Sequence, residues 1–182
     1  MLRRTILVAC MAWPAGVAAA PHCTASGVTQ GDLVQQGLLN PSVPAERRQR
    51  LADALLCSAL AGHAASQELA GTLYLQGRSR RGNVLPRDIP RARRLLTAAA
   101  DRGQRQAMRA LAELELADGH AREATLWSRV EQELFGSVRV ASSDAHPGTG
   151  RMTGRDMQLD AEVNLKVQAI GARLAADAPA GH

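Results

Sequence analysis

The feature that most constrains the fold of this chain is the stretch 66–103, which reads SQELAGTLYLQGRSRRGNVLPRDIPRARRLLTAAADRG. Its pattern predicts two short alanine-rich helices, joined by a loop of Arg, Gly and Pro residues. Small residues recur where the helices must touch, and after Gly103 the pattern restarts at Ala107. A helix pair that restarts after one glycine is typical of a helical-repeat solenoid. We therefore predict an all-α fold, a short right-handed α-solenoid of antiparallel helix pairs with a C-terminal amphipathic helix. A bundle with the same helices in another order is the alternative.

Apolar residues at helical spacing, separated by Gly and Pro, predict six helices before the last one. Their approximate ranges are 32–39, 45–61, 64–76, 88–102, 105–117 and 122–134. Residues 21–63 would form an N-terminal helix pair, a degenerate repeat, and residues 64–136 the repeats themselves. Residues 137–155 are rich in Ser, Gly and Pro and predict a linker. Residues 156–182 predict an amphipathic helix and a disordered tail, and that helix either packs on the repeats or docks into a partner.

The N-terminal stretch 1–20 predicts export. Two arginines precede a short apolar run and three alanines, as in a secretory signal peptide. The apolar run is too short for a membrane span, which needs ~20 residues. The sequence around Cys10 is similar to a lipoprotein signal, so acylation of Cys10 is one alternative and an uncleaved signal anchor is another. We predict that the mature protein is periplasmic or secreted.

Two cysteines remain in the mature chain, Cys23 and Cys57. Exported proteins fold under oxidising conditions, so we predict a disulfide between them. A redox-active thiol would need a CxxC-like pairing, which is not visible. His22 beside Cys23 supplies too few ligands for a metal site. We expect neither a metal nor a cofactor.

Small and aromatic residues between positions 71 and 107 follow a family pattern. These residues are Gly71, Tyr74, Gly77, Asp88, Ala92, Ala99, Ala100, Gly103 and Ala107. On them, the central block resembles the Sel1-like repeat, a relative of the tetratricopeptide repeat. The resemblance implies structural roles for these nine residues and a scaffold or adaptor that binds a protein partner. Exported bacterial members of the family look like partners in envelope assembly, secretion or host interaction.

The chain departs from that family pattern in two places. The loop between Gly77 and Asp88 is longer than the compact loop of the family. In the next repeat, Glu115 stands where the tyrosine is expected. A degenerate last repeat followed by a separate helix is typical of a solenoid cap, because the final helix pair needs a covered outer edge.

One cluster of charge stands out, because segment 78–94 holds seven arginines and one aspartate, a net charge of +6. The simplest interpretation is a solvated loop and helix face. The functional interpretation is a site for an acidic protein patch, an anionic lipid or an acidic glycan, since the arginine fork pairs with carboxylate and phosphate. The candidate contacts are Arg78, Arg80, Arg81, Arg87, Arg91 and Arg94. We expect no nucleic acid partner, because stacking aromatic residues are missing.

Catalysis finds little support in the sequence. The segment 142–146 contains Ser, Asp and His, but adjacent residues in a linker are not held in the geometry of a catalytic triad. Three hypotheses therefore remain. The first is an exported protein-binding scaffold that uses the groove of its helical repeats, and the second is a protein that binds an anionic surface or glycan through its arginines. The third is a hydrolase of cell-wall or β-lactam substrates, and we expect no enzyme activity.

Overall fold

The computed structural model describes residues 29–136 and 154–177. Within these ranges the chain is all-α, as predicted, and its helices are α1 (Gln30–Gln35), α2 (Ala45–Leu60), α3 (Ala64–Gln76), α4 (Ile89–Ala100), α5 (Arg105–Ala117), α6 (Ala121–Phe135) and α7 (Gly154–Asp177). A short 3-10 turn, Gly77–Ser79, follows α3. The predicted signal peptide, Cys10, Cys23, linker residues 137–153 and tail residues 178–182 lie outside the described residues. The helix that we expected from residue 156 begins at Gly154, inside the predicted linker.

The first helix starts earlier than its apolar residues indicate. The Thr29 side chain accepts from the backbone N–H of Asp32 at 3.2 Å, and the Asp32 carboxylate accepts from the Thr29 N–H at 2.9 Å. This reciprocal capping box begins α1 at Gln30. The helix ends at Gln35, because the chain turns at Gly37. The predicted range 32–39 therefore started two residues too late and ended four residues too late.

Helices α3 and α4 pack closely because Gly71, the α3 residue that faces Leu96 of α4, has no side chain. A Cβ atom added at Gly71 would lie 2.8 Å from Cγ of Leu96. Ala70 and Ala92 are fully buried near the same contact. Small residues at such positions let two helix backbones approach, while larger side chains fill the space on either side.

The long loop after α3 is held by Asn83, a buried residue. Its side-chain amide donates to the carbonyl of Leu73 at 2.7 Å and to the carbonyl of Gly77 at 2.8 Å. Its side-chain oxygen accepts from the N–H of Leu85 at 3.0 Å, and Leu85 is itself buried. Asn83 therefore gives a second donor to carbonyls at the C-terminal end of α3, since the N–H of Gly77 also donates to Leu73 and the N–H of Arg80 to Gly77.

Two hydrophobic clusters form the core, and α4 belongs to both. The first cluster joins α1, α2 and α3 and includes Leu55, Tyr74 and, from α4, Ala92. The second joins α5, α6 and α7 and includes Trp127 and, from α4, Leu96. One helix thus connects the two halves of the described chain.

The last helix packs on α6 and reaches the end of α4. Val163 and Ile170 are buried in the second cluster, and the ammonium group of Lys166 lies 4.4 Å from the centre of the Trp127 ring. Lys166 also donates to the Asp101 carboxylate at 3.1 Å. None of the described helices is long and apolar enough to cross a lipid bilayer.

Candidate functional site

Helices α2 and α4 both pack on α3, and the surface between them forms a groove of about 480 Å³. We call it the α2–α4 groove. Its apolar lining consists of Leu56, Ala59, Leu60 and Leu95, and its polar lining of Gln67, Tyr74, Arg91 and Arg94. Leu60 is 71% exposed, although it is a large apolar residue. An apolar groove with a few polar groups at one side is the usual form of a binding site.

Gln67 lines this groove and carries a buried acceptor. The residue is only 9% exposed, and its side-chain amide donates to the carbonyl of Ala59 at 3.1 Å. That bond fixes the orientation of the amide, so Oε1 cannot exchange places with Nε2 without losing it. Oε1 is buried and accepts no hydrogen bond from any residue that the structure describes. A buried acceptor without a donor costs about 1–3 kcal/mol.

The two groove arginines differ in how they are held. Arg91 donates to the Tyr74 hydroxyl at 2.8 Å, and its guanidinium carbon lies 5.1 Å from the centre of the Tyr74 ring. The hydrogen bond to Tyr74 raises the pKa of Arg91 above its ordinary value, which keeps the group charged. Arg91 also lies 3.8 Å from the Asp88 carboxylate. Arg94 is exposed and forms no ion pair within the described residues.

The structure separates the six candidate arginines into different surroundings, although all six are exposed. Arg91 and Arg94 line the α2–α4 groove. Arg80 and Arg87 line a second, open cleft of about 450 Å³. Arg78 lines a third cleft, beside the start of α2, and Arg81 lines none of these three.

Of the nine family-pattern residues, seven are buried, and Asp88 and Gly103 are partly exposed. Asp88 caps α4, since its side chain accepts from the N–H of Arg91 at 2.9 Å. Gly77 adopts φ 59° and ψ −159°, and a Cβ atom there would lie 2.6 Å from Cβ of Arg87. The nine residues thus line helix contacts or helix ends and do not form one pocket.

The predicted disulfide joins Cys57, which lies on α2, to Cys23, which lies outside the described residues, so the pairing stays a prediction. The segment 142–146 lies outside them too. No group of three or more His, Cys, Asp or Glu side chains in residues 29–136 and 154–177 is arranged to hold a metal ion.

A buried ion pair was missed from the sequence. Glu115 is almost fully buried on α5. Its carboxylate lies 2.7 Å from Nε of Arg93, on α4, and 2.7 Å from Nδ1 of His120. Arg93 also pairs with Asp118. The one signal for this cluster in the sequence is Glu115 itself, which stands where the resemblance leads one to expect a tyrosine.

This cluster makes stability depend on pH. Burial alone would raise the pKa of the Glu115 carboxyl, but hydrogen bonds from Arg93 and His120 outweigh it and hold the pKa below its ordinary value of 4.5. A carboxyl with a lowered pKa stabilises the fold above its ordinary pKa, and this contribution is lost as the pH falls through the folded value. We expect Glu115→Gln to lower the free energy of unfolding by about 1–3 kcal/mol at pH 7. The difference from wild type should shrink below a pH of about 4.5.

The matched control is Glu113→Gln, an exposed carboxyl on the same helix. Urea unfolding at several pH values measures both variants. An effect of Glu115→Gln that is no larger than that of Glu113→Gln at pH 7 would contradict the interpretation.

The sequence predicts a binding groove on the helical repeats, but not the residues that line the α2–α4 groove, because they are spread from position 56 to position 95 and come from three helices. Of these residues, the sequence identifies Tyr74 as a structural residue of the family pattern, and Arg91 and Arg94 as candidate contacts for an anionic partner. No protein-family model matches the chain, and comparisons with curated proteins and with solved structures give no match.

Proposed function

We propose that this chain is an exported scaffold of the bacterial cell envelope that binds a protein partner through the α2–α4 groove. The observation that carries the proposal is the groove itself, an apolar surface with an exposed leucine beside two arginines. Exposed apolar residues rimmed by polar groups are typical of protein interaction sites. No enzyme activity is proposed, because the described residues that line the groove include no Ser, Cys, His or carboxylate.

The proposed architecture is a short right-handed solenoid of antiparallel helix pairs of the Sel1-like type. Its support is that each helix from α2 to α6 packs on the next helix along the chain. Two related contacts add support, since Arg91 bonds to Tyr74 while Arg93 bonds to Glu115, 41 positions later. Tyr74 and Glu115 occupy equivalent positions in the proposed repeats, and each receives an arginine from α4.

Export is part of the proposal and rests on the sequence of residues 1–20. A Cys23–Cys57 disulfide would then form in the oxidising compartment. Fractionation of the bacterium that encodes the chain, with an antibody against the mature protein, tests both points. The mature protein should be found outside the cytoplasm, and its mobility on a non-reducing gel should change after reduction.

Site-specific photo-crosslinking tests the groove as the partner site. A benzophenone amino acid replaces Leu60, and the matched control replaces Leu116, which is also a leucine at a helix end and is 66% exposed. Irradiation of the native envelope should crosslink a defined protein at position 60 and not at position 116. The same products at both positions, or none at position 60, would refute the proposal.

The groove also yields a binding prediction. We expect Leu60→Asp to abolish recovery of that crosslinked partner by a tagged protein, because a charge would replace the exposed apolar contact. Its stability should change by no more than about 0.5 kcal/mol, as is usual for exposed positions. Co-purification and urea unfolding of the same sample separate these effects, and unchanged recovery would contradict the prediction.

A second candidate function is binding of an anionic lipid or glycan by the other arginines. The observation that favours it is the cleft lined by Arg80 and Arg87, next to the exposed Arg78 and Arg81. Sedimentation with anionic vesicles at low and high salt tests this, since exposed charges are screened by salt. The variant with Arg78, Arg80 and Arg81 changed to Glu should lose binding if this candidate is right.

A further inference from the structure

We propose that the α2–α4 groove recognises an extended peptide segment in which a large apolar side chain lies next to an Asp or Glu. This inference rests on the proposed function and specifies the chemistry of the partner. Three features of the groove support it, namely its apolar lining, the unpaired acceptor of Gln67 and the unpaired charge of Arg94.

The apolar lining of the groove favours a large apolar side chain in the bound peptide. Leu56, Leu60 and Leu95 line one continuous space of about 480 Å³, within the range of about 300–1,000 Å³ that is usual for ligand pockets. Leu60 is the most exposed of the large apolar residues in the described chain. A few residues buried in well-packed pockets near the centre of a contact supply most of the binding energy between proteins.

The side chain of Gln67 favours a peptide over a lipid as the molecule that the groove binds. Its Oε1 is a buried acceptor, and the bond from Nε2 to the Ala59 carbonyl fixes its orientation. A bound partner that supplies a donor to Oε1 would satisfy this acceptor. A peptide backbone offers an N–H group at every residue other than proline, whereas an acyl chain or an ionised phosphate offers none. An acyl chain in the groove would leave this acceptor unsatisfied.

The charge of Arg94 favours an Asp or Glu in the bound peptide. Neighbouring Arg93 is neutralised by Glu115 and Asp118, and Arg91 is bonded to Tyr74. Arg94 has no such partner in residues 29–136 and 154–177, so α4 presents an uncompensated guanidinium to the groove. A guanidinium fork binds a carboxylate through two parallel hydrogen bonds. Charge complementarity thus selects an acidic residue beside the apolar anchor.

Selection from a displayed library of random peptides on the wild-type mature protein tests the inference. Enriched peptides should share a large apolar residue within about two positions of an Asp or Glu, a span of about 7 Å in an extended chain at ~3.3 Å per residue. One enriched peptide is then synthesised, labelled and measured by fluorescence anisotropy. Enrichment of no peptide, or of peptides without an acidic residue, would overturn the inference.

A double-mutant cycle tests the carboxylate contact. Changing the acidic residue of the peptide to its amide should weaken binding to wild type about 10- to 100-fold, and binding to Arg94→Gln by no more than about twofold. The control Arg81→Gln removes another exposed arginine and should behave as wild type. Equal losses on wild type and Arg94→Gln would show that Arg94 does not contact the carboxylate.

An amide-to-ester scan of the peptide tests the Gln67 contact, because an ester has no N–H donor. One position should lose about 5- to 10-fold in affinity on wild type. For the Gln67→Met variant, the same amide-to-ester change should lower the affinity of the peptide only slightly. If Gln67→Met fails to fold, the scan on the wild-type protein is sufficient as the test. A scan in which no position is sensitive to the ester would contradict the Gln67 contact.

Other occupants of the groove are recognisable outcomes. Self-association that Leu60→Asp abolishes would indicate a second copy of the chain, and a gain in peptide affinity on removing residues 178–182 would indicate the protein's own tail. Either result would overturn the inference. A protein crosslinked at position 60 together with no acidic peptide selected would refute the inference and leave the proposed function standing. Selected peptides with no crosslinked protein would refute the proposed function alone.

Discussion

Replacing Leu96 by alanine is expected to lower the free energy of unfolding by about 2–5 kcal/mol, the usual cost of truncating a fully buried leucine. Leu96 is fully buried. It fills the space over Gly71 on α3, and it also belongs to the cluster of α5, α6 and α7. The cavity would therefore open where the two halves of the core meet, and neither half could close it alone.

Urea unfolding of the mature protein measures this loss with two internal probes. Tyr74, the single tyrosine of the chain, reports on the first cluster, and Trp127, the one tryptophan that remains after residue 20, reports on the second. Both transitions should shift together in Leu96→Ala, as a two-state unit requires. The control Leu60→Ala removes the same atoms from an exposed site and should cost no more than about 0.5 kcal/mol. Equal losses in the two variants would contradict the packing described here.

The second large effect is expected at Gly77. Its backbone conformation, φ 59° and ψ −159°, is one that residues with a side chain avoid, and forcing such a residue into it costs about 1–3 kcal/mol. A Cβ atom would also lie 2.8 Å from the backbone nitrogen of Arg87, which cannot move aside as a flexible side chain can. Overpacking of this kind adds about 1–3 kcal/mol. We therefore expect Gly77→Ala to be strongly destabilising.

Gly119→Ala is the matched control for this prediction. Gly119 also has a positive φ, 82°, but an added Cβ atom would meet nothing within 4 Å. The control should lose only about 1–2 kcal/mol, the cost of the left-handed conformation. Thermal unfolding of both variants separates backbone strain from crowding. A Gly77→Ala variant as stable as Gly119→Ala would mean that the loop relaxes away from α3.

Helix positions were readable from the sequence because local signals determine them. Gly62 and Gly103 follow the ends of α2 and α4 with positive φ angles, and Asp88 caps the start of α4, so each boundary depends on a few adjacent residues. The start of α1 was missed because the capping pair Thr29 and Asp32 precedes the apolar residues that reveal the helix. Such pairs are visible in a sequence only when the cap is sought first.

The candidate site could not be predicted in the same way, because its residues come together only through packing. Arg93 and Arg94 are adjacent in the sequence, but the turn of the helix directs the first to Glu115 and the second to the α2–α4 groove. Their sequence context does not distinguish a paired from an unpaired charge. Likewise, Asn83 looks like an ordinary loop residue until the carbonyls of Leu73 and Gly77 are placed beside it.

The position of α7 has a consequence for how the chain is made and delivered. Val163 and Ile170 complete a cluster whose other members, among them Trp127 and Val130, are synthesised earlier. At about 5–20 residues per second, the roughly 40 residues between Val130 and Ile170 take about 2–8 s to synthesise. During that interval a nascent chain presents an uncovered apolar face, which a chaperone would have to shield. The time at which α7 arrives therefore limits how long the chain is prone to aggregate.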